Sequence, residues 1–203
     1  MTIVPADSRI GPTPDEEQLR AGTYGLLGDL LRRPPDSPLL ERLGNITAGE
    51  TTDGLATAWL ALGEAAMRTQ PADLADEYQA LFIGLGRGEL IPYGSWYLTG
   101  FLMERPLAQL RRELAELGFQ RQEGVCEPED HAAALCEIMA LSIADGSMDL
   151  DRQRLFFETH LGSWMDRFFQ DMEQAANARF YRSVGRLGQA FIGLERRYLA
   201  FLA

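Results

Sequence analysis

Phe180-Tyr181-Arg182-Ser183-Val184-Gly185-Arg186-Leu187-Gly188-Gln189-Ala190-Phe191-Ile192-Gly193-Leu194-Glu195-Arg196-Arg197-Tyr198-Leu199-Ala200-Phe201 decides the fold class. Phe180, Val184, Leu187, Phe191, Leu194, Tyr198 and Phe201 recur every three or four residues, the spacing that lines one face of an α-helix. The stripe is too long for a strand and is predicted to face inward along its whole length. Moving upstream, Phe157, Leu161, Trp164, Met165 and Phe168 mark another inward face, with His160 four residues before Trp164. Leu135, Ile138, Met139 and Ser142 mark a third, broken at Asp145-Gly146.

The N-terminal half reads the same way. Thr13-Pro14-Asp15-Glu16 is a capping box with proline at the first helical position. Leu19, Leu26, Leu27 and Leu30 follow, with Tyr24 on a neighbouring stripe, until Arg32 to Pro35 stops the helix. Ser37-Pro38 opens a short helix. Leu55, Trp59, Leu62 and Ala66 mark the next, and Pro71 opens one carrying Leu74, Tyr78, Leu81 and Phe82. The glycine-dense segment Gly84 to Gly88 ends it; without a Walker lysine or a preceding strand it reads as a turn. Glu89 to Gly100 then crowds Tyr93, Trp96 and Tyr97 around Pro92, Gly94 and Ser95, in what the sequence suggests is irregular chain. Such aromatics suit either a peptide-binding wall or core anchors for the loop. Leu107, Leu110, Leu114 and Leu117 follow Pro106 and end at Gly118.

No strand run competes and no repeat is found, so the expected fold is all-α: a single globular bundle of about ten helices. Residues 1–12 are expected to form a flexible arm and 13–203 the helical domain. Its halves, about 13–117 and 128–203, would be joined by a hinge-like loop near 118–128. Such a hinge is compatible with a monomer or a domain-swapped dimer.

Glu127-Pro128-Glu129-Asp130-His131 packs three carboxylates and one of the two histidines into five residues. Pro128 fits the first position of a helix, which would put the acids at the positive end of its dipole. A metal site built on Cys126, His131, Cys136 and His160 is disfavoured. On that helix His131 and Cys136 would lie about 140° apart, and no Cys-x-x-Cys or i, i+4 histidine pair is present. Acid–base catalysis by Asp130 and His131 lacks an accompanying nucleophile or oxyanion donor, and Ser95 has no Gly-x-Ser-x-Gly elbow. His131 is the one group in the stretch with an ordinary pKa near neutrality.

Thirty acidic residues against nineteen basic ones give a net charge of −11, and every base is arginine. Nucleic acid and anionic membranes are therefore poor partners, no stable membrane insertion is expected, and a basic partner is favoured. No apolar run approaches the roughly 18 residues of a membrane span, and the first residues lack a signal-peptide pattern. Two cysteines suit a reducing compartment, so the expected location is the cytoplasm.

Taken together, Glu77-Tyr78-Gln79-Ala80-Leu81-Phe82, Pro92-Tyr93-Gly94-Ser95-Trp96-Tyr97-Leu98-Thr99-Gly100, Glu127 to His131, and His160-Leu161-Gly162-Ser163-Trp164 resemble the TorD-like (TorD/DmsD) family of redox-enzyme maturation chaperones. The resemblance implies a chaperone, not an enzyme and without a cofactor of its own. It would bind the twin-arginine signal peptide or apo form of a molybdopterin-dependent oxidoreductase, delay its export and assist cofactor insertion. By motif, the residues implied in peptide binding are Tyr78, Phe82, Pro92, Trp96, Glu127, Asp130 and His131. Tyr93, Tyr97 and Glu129 join them from the same stretches, with Tyr24, His160 and Trp164 in support. A twin-arginine leader joins two guanidinium groups to an apolar segment. The expected receptor is a groove in which Asp130 and Glu127 sit beside Trp96, Tyr97 and Phe82. Two alternatives remain: a small-molecule or nucleotide-binding enzyme using Asp130 and His131, and a helical adaptor with no peptide groove. The client, whether an N-oxide, sulfoxide or other reductase or a formate dehydrogenase, is not encoded in any motif.

Overall fold

A computed structural model describes residues 13–47, 53–120 and 127–202. The expected arm at 1–12 and most of the expected hinge, including Cys126, lie outside the described residues. Ten α-helices are found among them and no strand: α1 Pro14–Arg32, α2 Ser37–Gly44, α3 Gly54–Arg68, α4 Pro71–Tyr78, α5 Gly94–Thr99, α6 Arg105–Glu116, α7 Ala132–Asp145, α8 Leu150–Phe156, α9 Met165–Gln174 and α10 Phe180–Leu202. None of these helices is long and apolar enough to cross a membrane.

The local signals work where a cap is written into the sequence. Thr13 and Glu16 form the reciprocal capping box that opens α1, and Asp36, Asp53 and Asp149 each accept an amide from the first turn of α2, α3 and α8. Two helices end differently from the simple period. After α4 and after α8 the chain continues for five residues as a π-helical turn, Gln79–Ile83 and Phe157–Leu161. Each is closed by an amide reaching five residues back, Gly84 to Gln79 O and Gly162 to Phe157 O, both at 2.7 Å. The predicted single helix through Phe157 and Phe168 is therefore two, broken at Gly162 to Trp164.

The two sequence halves are interleaved. α1 lies along α7, and α3 along α10, which also packs on α9. One continuous core runs from Leu27, Leu31 and Leu62 to Phe168, Phe169, Leu187 and Ile192. Glu77 fastens one end of this arrangement. Its buried carboxylate accepts the amides of Arg179, Phe180 and Tyr181 at 2.8, 3.2 and 2.8 Å, capping α10 from a distant part of the chain. The neighbouring Tyr78 hydroxyl donates to the last carbonyls of α1, Leu31 O and Arg32 O, at 3.1 and 2.8 Å.

The predicted stripe on α10 holds from Phe180 through Phe191 and then turns. Beyond it the inward positions are Ile192, Glu195 and Leu199, while Phe201 is exposed. The face rotates because Glu195 must reach Arg20 of α1. The two form a bidentate pair at 2.8 and 2.9 Å, 5% and 0% exposed, and Gln153 of α8 accepts from the same guanidinium at 3.0 Å.

Candidate functional site

Glu127 to His131 does not start a helix. It forms a turn, and α7 begins four residues after Pro128 at Ala132, capped by the His131 side chain, whose Nδ1 accepts the Ala133 amide at 3.1 Å. The acids are used elsewhere. Asp130, 3% exposed, accepts the Ser95 amide on Oδ2 at 2.8 Å, and its carbonyl accepts the Gly94 amide at 2.9 Å. These two bonds cap a neighbouring helix, α5, which explains why Gly94–Thr99 is helical although nothing local predicts it. The Ala132 amide returns a bond to Pro92 O at 2.8 Å, and Tyr93 pairs with His131 in an isolated antiparallel bridge. The Tyr93 hydroxyl donates to Glu127, and Glu129 pairs with Arg111 at 2.8 Å.

Tyr93, Ser95, Glu127, Asp130 and His131 are thus brought together from stretches some 35 residues apart, with the half-buried Trp96 on the next position of α5. Tyr78 lies close enough for the Glu127 charge to act on it: burial first and that charge second push its hydroxyl up to about 12. Burial and the Glu127 carboxylate likewise raise Tyr93. All three phenols are neutral donors at pH 7, Tyr97 included, whose hydroxyl donates to Asp171 at 2.9 Å.

Other expected members pack on or in the core. Tyr97 stacks on Trp164, ring centres 5.3 Å apart, and meets Phe168 edge-on. Phe82 packs between Tyr78 and Tyr181. His160 pairs with Glu113 at 2.8 Å, while Trp164 donates to the His160 carbonyl at 2.6 Å and lies against Gly94, where a Cβ would meet Nε1 at 3.1 Å. Trp164, with Tyr97 stacked on it and Gly94 pressed against it, forms the seat of α5. Tyr24 lies in the core, edge-on to Phe191 at 4.7 Å. Of the residues expected to line the groove with Glu127, Asp130 is buried, whereas Trp96, Tyr97 and Phe82 are each partly exposed, Tyr97 packed on Trp164 and Phe82 on Tyr78 and Tyr181. Two open grooves of about 700 and 410 Å³ run along α3 and α10, and none of the expected peptide-binding residues lines either.

What the sequence did not single out is the segment that follows α5. Leu98, Phe101, Leu102 and Met103 are 43 to 72% exposed, four large apolar side chains clustered within six residues. The knob they form is held in one shape. Thr99 Oγ1 donates to Ser95 O at 2.8 Å, Gly100 closes α5 at φ 84°, and the Met103 amide donates to the buried Ser95 Oγ at 3.2 Å. Met103 itself sits at φ 59°, a left-handed conformation that costs a non-glycine residue about 1 kcal/mol. The run Leu98-Thr99-Gly100-Phe101-Leu102-Met103 was the available signal, four large apolar residues around a glycine with no helical or strand period.

Burial lowers His131 to about 4, against the opposing pull of Glu127 and Asp130, so it is neutral throughout pH 6 to 8. Its pKa thus lies well below the ordinary near-neutral value of a histidine. Asp130 and His131 are both engaged as helix caps through Oδ2 and Nδ1, while Asp130 Oδ1 is buried without a hydrogen-bond partner among the described residues. Cys136 is a free thiol, and burial pushes it up to about 12. Among the described residues no group of three or more histidine, cysteine or acidic side chains is placed to hold a metal ion.

Residues 49–170 match the family model of the nitrate reductase delta subunit. The chaperone protein TorD of Vibrio parahaemolyticus is 28% identical over 138 residues, 63% of this chain and 64% of that protein. TorD of Vibrio cholerae is 31% identical over 137 residues, covering 63% of this chain and 62% of its own length. TorD of Shewanella loihica is 28% identical over 199 residues, 88% and 92% of the two chains. Among solved structures, a candidate redox enzyme maturation protein from Archaeoglobus fulgidus superposes with a TM-score of 0.50 over 97% of this chain and 99% of that one. At 16% identity this last likeness speaks for the fold alone.

Proposed function

We propose, from the premise that this chain belongs to the nitrate reductase delta subunit family, the TorD-like family, that it is a maturation chaperone for a molybdopterin-dependent oxidoreductase. It acts in the cytoplasm, binding the arginine-containing leader of the apo-enzyme, delaying export and allowing cofactor insertion. The observation that carries this reading is the joining of an acidic turn to an aromatic helix. Glu127 and Tyr93 meet by a hydrogen bond, Tyr93 opens α5, which carries Trp96, and the exposed apolar residues Phe101, Leu102 and Met103 follow the end of that helix.

Each part answers a part of such a leader. A guanidinium about 4 Å from a carboxylate gains about 4 kcal/mol gross at an effective dielectric near 20, much of it cancelled by desolvation. Apolar contact, at about 25 cal/mol per Å², supplies the rest, and the knob after α5 offers it. Glu127 and Trp96 are the contacting residues in this reading. Asp130, His131, Tyr97, Phe82, His160 and Trp164 position them, with Pro92 and Glu129 fixing the turn and Tyr78 the end of α1. The net charge of −11 draws a basic segment in from a distance.

Calorimetry with a synthetic peptide carrying two adjacent arginines and an apolar tail tests this. Trp96→Ala is expected to weaken binding at least tenfold and Glu127→Gln severalfold, with the helical circular dichroism signal unchanged. Binding that is indifferent to both substitutions removes the site.

A further inference from the structure

The Gly84 to Gly88 segment is left unused by the reading above, yet it reaches the proposed site. The guanidinium carbon of Arg87 lies 5.3 Å from the centre of the Trp96 ring. That is within the range of a cation–π contact, the same attraction an incoming arginine would use. Arg87 is exposed and has no ion pair among the described residues.

The segment is built with a fixed base and an open tip. At the base, the Glu89 amide donates to Ala80 O at 3.2 Å and the Leu90 amide to Leu81 O at 2.8 Å. Gly88 is pressed against the same turn, where a Cβ would stand 2.5 Å from the Phe82 carbonyl carbon. Toward the tip, Gly84 and Gly86 take φ of 64° and 92°, open to glycine and strained for other residues, and Leu85 is fully exposed. The tip thus turns on two conformationally permissive glycines, with Arg87 O so close to Gly84 that a Cβ there would clash with it, while 88–90 are tied back to Ala80 and Leu81.

We propose that Arg87 is a built-in occupant of the Trp96 face, so that this loop covers the peptide site until an arginine of the leader displaces it. The inference rests on the peptide-binding reading of Trp96. Because the covered state must open first, apparent affinity is reduced by the fraction of molecules that are closed. The cover weighs on occupants of the ring, so a peptide without a guanidinium, which does not compete with Arg87 for that face, is not weakened by it.

The test compares wild type, Arg87→Ala and Arg87→Lys with two peptides, one bearing the adjacent arginines and one with both replaced by glutamine, by calorimetry and stopped-flow Trp fluorescence. Arg87→Ala is expected to bind the arginine peptide about two- to fivefold tighter, the range an exposed cation–π contact implies. The gain should lie in association rate, with Arg87→Lys between the two. Binding by wild type that is equal or tighter than by Arg87→Ala overturns the lid and leaves the peptide site standing. An equal gain for the glutamine peptide overturns competition for the ring. Failure of wild type and Arg87→Ala alike to bind the arginine peptide overturns the peptide site and the lid with it.

Discussion

Burial lowers the pKa of His131 to about 4, while the unfolded chain protonates an ordinary histidine near 6.5. Between those values the unfolded state carries the extra proton, so stability rises with pH across the window and is lost as pH falls from about 6.5 to about 4. Substituting His131→Asn keeps an acceptor for the Ala133 amide and removes the titration. Urea unfolding at steps of pH is expected to give wild type the steeper fall in this window, and equal slopes would mean that His131 is not held neutral by the fold. The same residue shows what single positions hide from sequence reading. His131 was legible as part of a meaningful motif, but its role as the cap of α7 was not, because Pro128 offered a more obvious helix start three residues earlier. Asp130 is the clearer case. Its partner amide belongs to Ser95, and a cap supplied from 35 residues away leaves no local spacing to read.

At the scale of elements, the helices with a local cap, an opening proline or a long apolar period, α1 to α4, α6, α7 and α10, were legible in outline. Those that depend on tertiary partners were not: α5 owes its start to Asp130, and the π-helical turns after α4 and α8 shift the face by one residue without any change in composition. The knob after α5 escaped notice since exposure is not encoded by residue type. Close approach between elements is written in glycine, though only structure says which glycine matters. On α10, a Cβ at Gly185 would stand 2.8 Å from Phe169 O and from Glu173 N, both backbone atoms of α9, whereas one at Gly193 meets only Arg197 Nη1 at 3.7 Å. Backbone cannot step aside as a side chain can. Gly185→Ala should therefore destabilise by about 1 to 3 kcal/mol as α9 is pushed off. Gly193→Ala should stabilise by up to about 1 kcal/mol through helix propensity. Chemical denaturation of the two variants decides it; effects of the same sign would contradict the packing of α9 on α10.

Across the whole molecule, the link between the first helix and the last is ionic at its centre. The all-α class and the interior were readable from periodicity, but a stripe drawn through Leu194, Tyr198 and Phe201 assumes that apolar residues fill every inward position. Glu195 takes one instead. Its charge is tolerable there because Arg20 meets it with two hydrogen bonds, packs its guanidinium 4.7 Å over the Tyr198 ring and holds Gln153, which in turn donates to Met148 O at 3.0 Å. Burial works against the charge on Arg20, and the bonds to Glu195 outweigh it, leaving its pKa raised. A pair like this contributes little net stability, yet losing half of it is costly, since the remaining ion stays buried without its partner. Arg20→Met alone is expected to lose about 3 to 5 kcal/mol in denaturant unfolding, and Glu195→Leu alone a similar amount. The double variant Arg20→Met/Glu195→Leu should recover most of that loss, because two apolar side chains of comparable size then fill the gap between α1 and α10. If the double variant is as unstable as the sum of the singles, the pair is not coupled. The tie between the two ends of the chain would then rest on the surrounding apolar contacts of Tyr24, Leu27, Phe191 and Ile192 alone.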